Sequence, residues 1–421
     1  MPGHQTHIAN RRSSIADEKP ARVLLVDADA FYVSVARLED PDVAGKARLL
    51  LVGGSKRGVV LSASYETRAY GVHSGMPMAH ALRLCPEAVR VGVSRTACQE
   101  RSRAVRRVLE RFTPIVEAAS IDEFYLDMTG TEHLYRGAPL EATAREIRAV
   151  VLEEARIPVS VGGGANRLIA KLAAKRAKPH KGYTTEGVWV VPPGKEAAFL
   201  AEHDLRDIPG IGPQLQARLA AHELLTVRDA LAVGLDPLSA WLGKRTAQWL
   251  HRRIRGQAST RVTAHGGRKS LGHERTFTED LATEEALERE LLRLATRVSS
   301  DLRRKRLAGR AITVKLRDYD FQTRQAGKTL PQPVQSDRSI YRAARGLLIR
   351  LRGKRNVPVR LLGIRLTQLR AEDEEPLELP LVAPIEESET DTDRDRKLAL
   401  AVDRITEKYG REGILRGKEM G

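Results

Sequence analysis

The chain has 421 residues, 42% of them hydrophobic, so it exceeds one ordinary core and divides into several domains. No apolar run approaches the roughly 20 residues of a membrane span, and the first 20 residues lack the apolar core of a secretory signal. Two cysteines, Cys85 and Cys98, outside any CxxC or Cys/His cluster, argue against a disulfide framework or a structural zinc site and fit a reducing cytoplasm, and a net charge of +17 points to a polyanionic partner.

In chain order, residues 1–20 read as a short disordered leader, and ARVLLVDADAF (21–31) reads as a first strand, short and apolar and ending in acids. KARLLLVGG follows as a second strand, then a segment rich in small residues and turn signals through MPMAHALRLCP. Residues 96–112 form an amphipathic helix with a basic outer face. TPIVEAAS and EFYLDMT are both strand-like, so the SIDE between them falls where a tight hairpin connection fits. LEATAREIRAVVLEEAR is a helix, PVSVGGG a strand, and NRLIAKLAAKRAKPHKG a basic helix stopped by Pro179. This alternation indicates one layered domain up to about residue 190. From 196 to 256 the pattern is all helical; QASTRVTAHGGRK then reads as an interdomain linker. The order strand, helix, strand, strand, helix, strand follows as a compact β-α-β-β-α-β unit, and the acidic tail beyond it reads as disordered with a short helix behind.

The chemistry concentrates in carboxylates. Asp27 ends the first strand, and Asp29 would point the same way if the strand continued. Asp122 and Glu123 are adjacent, so on a regular strand they would face opposite sides; a bend at residues 121–123 would turn both toward Asp27. Three carboxylates at one sheet end suit Mg²⁺, and two such ions could serve phosphoryl or nucleotidyl transfer. An acid beside a turn is ordinarily just solvated, so the surrounding residues decide. Tyr65 and Arg68 in SYETR, with Lys171 and Lys178 seven residues apart on one helix face, could contact a triphosphate, although a basic solvated helix has the same pattern. PGIG (209–212) offers Gly210 and Gly212 before a helix N-terminus that could take a phosphate, or serves only as loop punctuation. ITVKLR alternates, with Lys315 and Arg317 opposite Ile312, Val314 and Leu316, a face suited to a phosphate backbone. The nucleotide motifs that compete with this reading fail: AGKT (326–329) lacks the first Walker A glycine at Gln322, and VGGGANR has Arg167 where GxGxxG needs glycine.

VDADAFYVSV, SYETRAYGVHSGMP, ASIDEFYLD, GGGANRLIAKLAAKRAKPHKG, DIPGIG and RKSLGHERTFTEDL, in that order over residues 21–370, resemble the Y-family translesion DNA polymerases of the bacterial DNA polymerase IV branch. The resemblance implies an α+β multidomain fold with palm (21–32 and 96–195), fingers (33–95), helical thumb with a helix-hairpin-helix (196–256), linker (257–268), β-α-β-β-α-β little finger (269–370) and acidic tail (371–421). It implies template-directed addition of deoxynucleotides to a primer 3′-hydroxyl on a primer-template, error-prone and without proofreading, by a cytoplasmic monomer. Two Mg²⁺ ions would be held by Asp27, Asp122, Glu123 and the Ala28 carbonyl. Tyr32, beside Phe31 among the substrate contacts, takes the steric-gate position against ribonucleotides, and Tyr65, Arg68 and Lys178 match triphosphate contacts, with Thr67 where the family usually has Ala. Ser62, Ala63 and Ser64 would leave room above the nascent base pair. PLELPLV (376–382), through Leu377, Leu379 and Leu381, resembles a degenerate sliding-clamp peptide without its leading Gln and terminal Phe; a leucine-bearing spacer is the competing reading. Other functions fit less well. A nucleotide cyclase has no need of PGIG or the +17 charge, and a catalytically silent DNA- and partner-binding scaffold would be expected to have lost the acids.

Overall fold

In a computed structural model of the chain, residues 21–55, 57–179, 186–264, 266–371 and 390–410 are described, and the chain divides into two compact units, 1–266 and 267–421. The first unit runs β1 (Val23–Ala28), α1 (Phe31–Glu39), β2 (Leu50–Gly53), β3 (Val60–Ala63), α2 (Tyr65–Arg68), α3 (Met78–Leu84), β4 (Val89–Val91), α4 (Arg95–Leu109), β5 (Val116–Ala118), β6 (Glu123–Asp127), α5 (Leu140–Ala155), β7 (Val159–Gly164), α6 (Arg167–Ala177) and β8 (Val188–Val190). Five helices follow: α7 (Glu196–Ala201), α8 (Pro213–Ala220), α9 (Val227–Ala232), α10 (Leu235–Leu242) and α11 (Lys244–Arg253). Among the described residues no helix is long and apolar enough to cross a membrane.

A five-stranded sheet of order β5-β6-β1-β7-β8 organises this unit. Its middle strand is apolar apart from Asp27 because helices cover both faces. Leu24, Val26 and Ala28 enter one core with residues of α4 and α5. Val23 and Leu25 enter another with Tyr125 of β6 and Ala170 and Ala174 of α6. Alternation then puts Asp27 on the α6 face. The helix can lie this close because Gly162 leaves no side chain beneath it: a Cβ there would stand 1.9 Å from the Ala174 backbone nitrogen. The triple glycine of β7, which serves no nucleotide fingerprint, is thus a packing device. A smaller sheet, β3-β2-β4, pairs β2 antiparallel with β3 and parallel with β4.

Two expectations change here. The first strand ends at Ala28, not at residue 31, because Ala30 adopts a left-handed conformation (φ +43°, ψ +44°) and Phe31 opens α1. The segment read as a linker is bound to the first unit up to Thr263. Val262 is buried in the α6-side core, and the Thr263 amide donates to Glu117 (2.8 Å). Arg167, bidentate to Glu117 (2.5 and 2.8 Å) and stacked on Tyr125 (4.0 Å), also donates to the Arg261 carbonyl.

The second unit comprises β9 (Ser270–Leu281), α12 (Glu284–Arg304), β10 (Leu307–Asp318), β11 (Thr323–Val334), α13 (Asp337–Lys354), β12 (Val359–Ala371) and α14 (Asp393–Tyr409). The β-α-β-β-α-β order gives an antiparallel sheet, β11-β10-β12-β9, with α12 and α13 packed against it. Ile312, Val314 and Leu316 are fully buried beneath those helices. The segment carrying α14 is docked within this unit: Asp403 accepts from Arg303 Nε and Nη2 (2.6 and 2.7 Å), and Asp391 accepts the Gln335 and Ser336 amides ahead of α13. The leader and PLELPLV lie outside the described residues.

Gly162→Ala should therefore force α6 off the sheet. Thermal unfolding is expected at a Tm several degrees lower, overpacking of this kind costing about 1–3 kcal/mol or more. A wild-type melting curve for that variant would contradict the close packing.

Candidate active site

The antiparallel register sets Asp27 of β1 directly opposite Glu123 of β6, so both carboxylates leave the sheet on the α6 face. Asp122 belongs to the turn between β5 and β6, which pair antiparallel as a hairpin. Its carbonyl accepts the Ala28 amide (2.9 Å), which ties the turn to the end of β1, while its carboxylate accepts a short hydrogen bond from Ser120. The Ser120 hydroxyl in turn accepts the Asp122 and Glu123 amides (3.2 and 3.0 Å) and so fixes the turn. This turn is what frees adjacent acids from the strict alternation of a strand.

The three acids feel one another. Burial pushes the Asp27 carboxyl up to about 6; Lys178 opposes the rise, and the charges of Glu123 and Asp122 add to it. Helix α6 answers the negative charge. Lys171 Nζ lies 2.7 Å from both Glu123 oxygens, and Lys178 Nζ, at the C-cap, lies 2.6 Å from Asp27 Oδ1. Among the described residues no group of three or more His, Cys, Asp and Glu side chains stands in ready metal-holding geometry. Hard oxygen donors in a partly buried negative cluster nevertheless fit a divalent cation. The lysines standing on those donors have long flexible stems able to give way.

Around the acids, α1 and α2 bring up the remaining groups. Phe31 is buried in the core, so its side chain cannot be the substrate contact expected of it, and only its backbone is left for that task. Tyr32 is half-buried, edge-on to Phe31 with ring centroids 5.5 Å apart; burial first and then the Asp122 charge hold its phenol pKa up. Tyr65 heads α2, and Arg68 stacks on its ring (4.7 Å) while donating to the Ala63 carbonyl (3.0 Å). Thr67, fully buried, hydrogen-bonds the hydroxyl of Ser64, the N-cap of α2. Ser62, Ala63 and Ser64 are themselves buried at 4% exposure or less, so their small size fills the interior and does not open space over a base pair.

Sequence reasoning missed the role of Asp29. With the strand ended at Ala28, its carboxylate accepts the hydroxyl of Ser160, the residue paired with Asp27 across the sheet, and meets the Tyr65 hydroxyl. The signal was present in FYVSVARL, whose helical periodicity starts immediately after the DADA run.

The other expected contacts sit farther along the chain. Gly210 has φ +102°, and a Cβ there would meet Trp249 of α11 at 2.7 Å; Gly212 is the N-cap of α8. Gly243 similarly opens α11. In the second unit Lys315 and Arg317 share the face away from α12 and α13, Lys315 bound to Glu274 (2.9 and 3.1 Å) and Arg317 to the Thr323 hydroxyl (3.0 Å).

Comparison with known proteins gives the family. Family models described as "impB/mucB/samB family", its C-terminal domain, and "DNA polymerase-iota, thumb domain" match residues 26–175, 268–379 and 206–257. The chain is 35% identical to a DNA polymerase IV of Caulobacter vibrioides over 94% of its own length and 93% of that protein, and 33% identical to one of Dehalococcoides mccartyi over 94% and 97%. Among solved structures it resembles a Y-family DNA polymerase chimera built on Dbh (28% identity, TM-score 0.72, covering 83% of this chain and 99% of that one). It also resembles DinB from Sulfolobus solfataricus (28% identity, TM-score 0.55, covering 82% and 98%). The chain belongs to the Y family of DNA-directed DNA polymerases, in its DNA polymerase IV branch.

Proposed function

We propose that this chain adds deoxynucleotides to a primer 3′-hydroxyl under the direction of a template, in error-prone synthesis past damaged DNA. The observation that carries the reading is the convergence of Asp27, Asp122 and Glu123 at one sheet end beneath two lysines. A ternary complex of the related Dbh polymerase, 28% identical with a TM-score of 0.57, supports primer-template DNA and a nucleotide as the ligands. We assign palm to 21–32 and 96–195, fingers to 33–95, thumb to 196–256, linker to 257–268 with its first part strapped to the first unit as far as Thr263, little finger to 269–370 and tail to 371–421. The clamp-binding reading of Leu377, Leu379 and Leu381 rests on sequence alone.

Two Mg²⁺ ions, held by Asp27, Asp122, Glu123 and the Ala28 carbonyl, would supply charge neutralisation on the triphosphate and acidify the primer hydroxyl. The chain's own residues do the rest. Arg68 and Lys178 bind phosphate oxygens, and Tyr65 places its hydroxyl beside them. Tyr32 sits where a ribose 2′-hydroxyl would collide with its ring. Gly210 and Gly212 allow a phosphate to approach the amides opening α8 without reading a base, and Lys315 and Arg317 neutralise the DNA backbone. Positioning and fixed charge account for most of the rate.

In primer extension with Mg²⁺ and single deoxynucleotides, Asp122→Ala should lose at least about 100-fold in rate. Equal extension by wild type and variant would refute the acid assignment, and extension by neither would favour a silent DNA-binding scaffold. Replacing Tyr32 by Ala should raise ribonucleotide insertion relative to deoxynucleotide by about tenfold or more, whereas an unchanged ratio would remove the gate. Thermal melting tests the charge balance. Because the Asp27 pKa is raised to about 6 from 3.8, the folded chain keeps a proton that the unfolded chain has lost in that window. Stability is therefore surrendered as pH rises through it, and the deficit is complete above it. Mg²⁺ should raise Tm more at about pH 7.5 than at about pH 5, and Asp27→Asn should melt higher than wild type without Mg²⁺ and respond less to it. A Mg²⁺ effect independent of pH would contradict the account.

A further inference from the structure

Asp29 is 5% exposed, and nothing in the chemistry derived so far uses it. Its backbone is fixed on both sides: the amide donates to the Pro158 carbonyl (2.8 Å), and its own carbonyl accepts the Ser34 hydroxyl (2.9 Å). The Ser160 hydroxyl on β7 bridges both carboxylate oxygens at 2.8 and 3.0 Å. Oδ1 also accepts the Tyr65 hydroxyl at 3.4 Å. A buried carboxylate so held has one orientation, and the partner it orients is the tyrosine at the head of α2. Two features make this more than core packing. The turn that carries Asp29 to Ser160 and Tyr65 passes through Ala30 in the left-handed region, a conformation that non-glycine residues seldom adopt and that is kept where a site needs it. In addition, Tyr65 carries Arg68 stacked on its ring, so fixing one ring places two groups.

We propose that Asp29 is a positioning residue for nucleotide binding: through the Tyr65 hydroxyl it joins the sheet that carries the carboxylates to the helix that meets the triphosphate. The role rests on the polymerase reading above. It acts on ground-state binding of the nucleotide and leaves the chemical step alone. Loss of the carboxylate frees the Tyr65 ring and weakens its hold on the phosphates. An amide in its place keeps an oxygen acceptor for both hydroxyls and preserves the arrangement.

Single-nucleotide insertion by the full-length protein on a primer-template with Mg²⁺ separates these effects. Asp29→Ala should raise the nucleotide KM about tenfold with kcat within about threefold of wild type, while Asp29→Asn stays within about threefold in both constants. Tyr65→Phe should raise KM by a similar factor, and the double variant D29A/Y65F should be no worse than either single change. Ser160→Ala, which leaves Asp29 in place, should give a smaller rise of about threefold and stands in if Asp29→Ala does not fold. An active wild type whose variants leave KM unchanged, lose kcat instead, or multiply their losses in the double variant overturns the role of Asp29 while leaving the polymerase reading intact. A wild type that extends no primer overturns that reading and the proposal with it.

Discussion

Carboxylates gathered where water is scarce must be answered by positive charge, and much of the first unit can be understood from that requirement. Asp27 leaves the central strand of the sheet, and Glu123 is fixed opposite it by strand pairing. Burial dominates the rise of the Asp27 pKa, so the site favours a cation or a proton at that position. The chain's own supply comes from α6. That helix reaches the acids because Gly162 lets its backbone lie against β7, and Lys171 within it and Lys178 at its C-cap then reach Glu123 and Asp27. Sequence, packing and electrostatics converge here: a glycine without a side chain positions charges on a different element.

The same end of the sheet is where the backbone departs from its easiest path. At Ala30 the chain leaves β1 through a left-handed turn and starts α1 at once, which stands Tyr32 next to the acids and sends Asp29 toward Ser160 and Tyr65. Asp27 and Asp29, two residues apart, therefore serve different partners. One gathers with acids; the other is locked by hydroxyls. On the function proposed above, that division separates a group that assists the reacting atoms from one that holds the nucleotide in place.

Much of this was legible in the amino-acid order. The hairpin at SIDE, the basic helix stopped near Pro179 and the alternation in ITVKLR all rest on local patterns that tertiary contacts did not override. What escaped notice depended on distant partners. The strand pattern through ARVLLVDADAF gives no sign that Ala30 turns left-handed, and the glycines of VGGG read locally only as an incomplete nucleotide fingerprint because the helix they admit is a different element. Ser62, Ala63 and Ser64 looked like spacers over a base pair because small residues can either leave room or fill a tight interior; burial alone distinguishes the two. The polar, glycine-bearing composition of residues 257–269 suggested a free tether. One buried side chain, Val262, and one acid fifty residues from its arginine, Glu117, were enough to strap it down.

The central claim is that the lysine-covered acids at the end of β1 form the catalytic centre. It is tested most directly by a crystal structure with primer-template, an unreactive deoxynucleoside triphosphate and Mn²⁺, read by anomalous scattering. Mn²⁺ is expected on Asp27, Asp122 and Glu123, with the Lys171 ammonium displaced from Glu123 and that of Lys178 from Asp27. Lysines still seated on the acids, with the anomalous signal elsewhere, would contradict it.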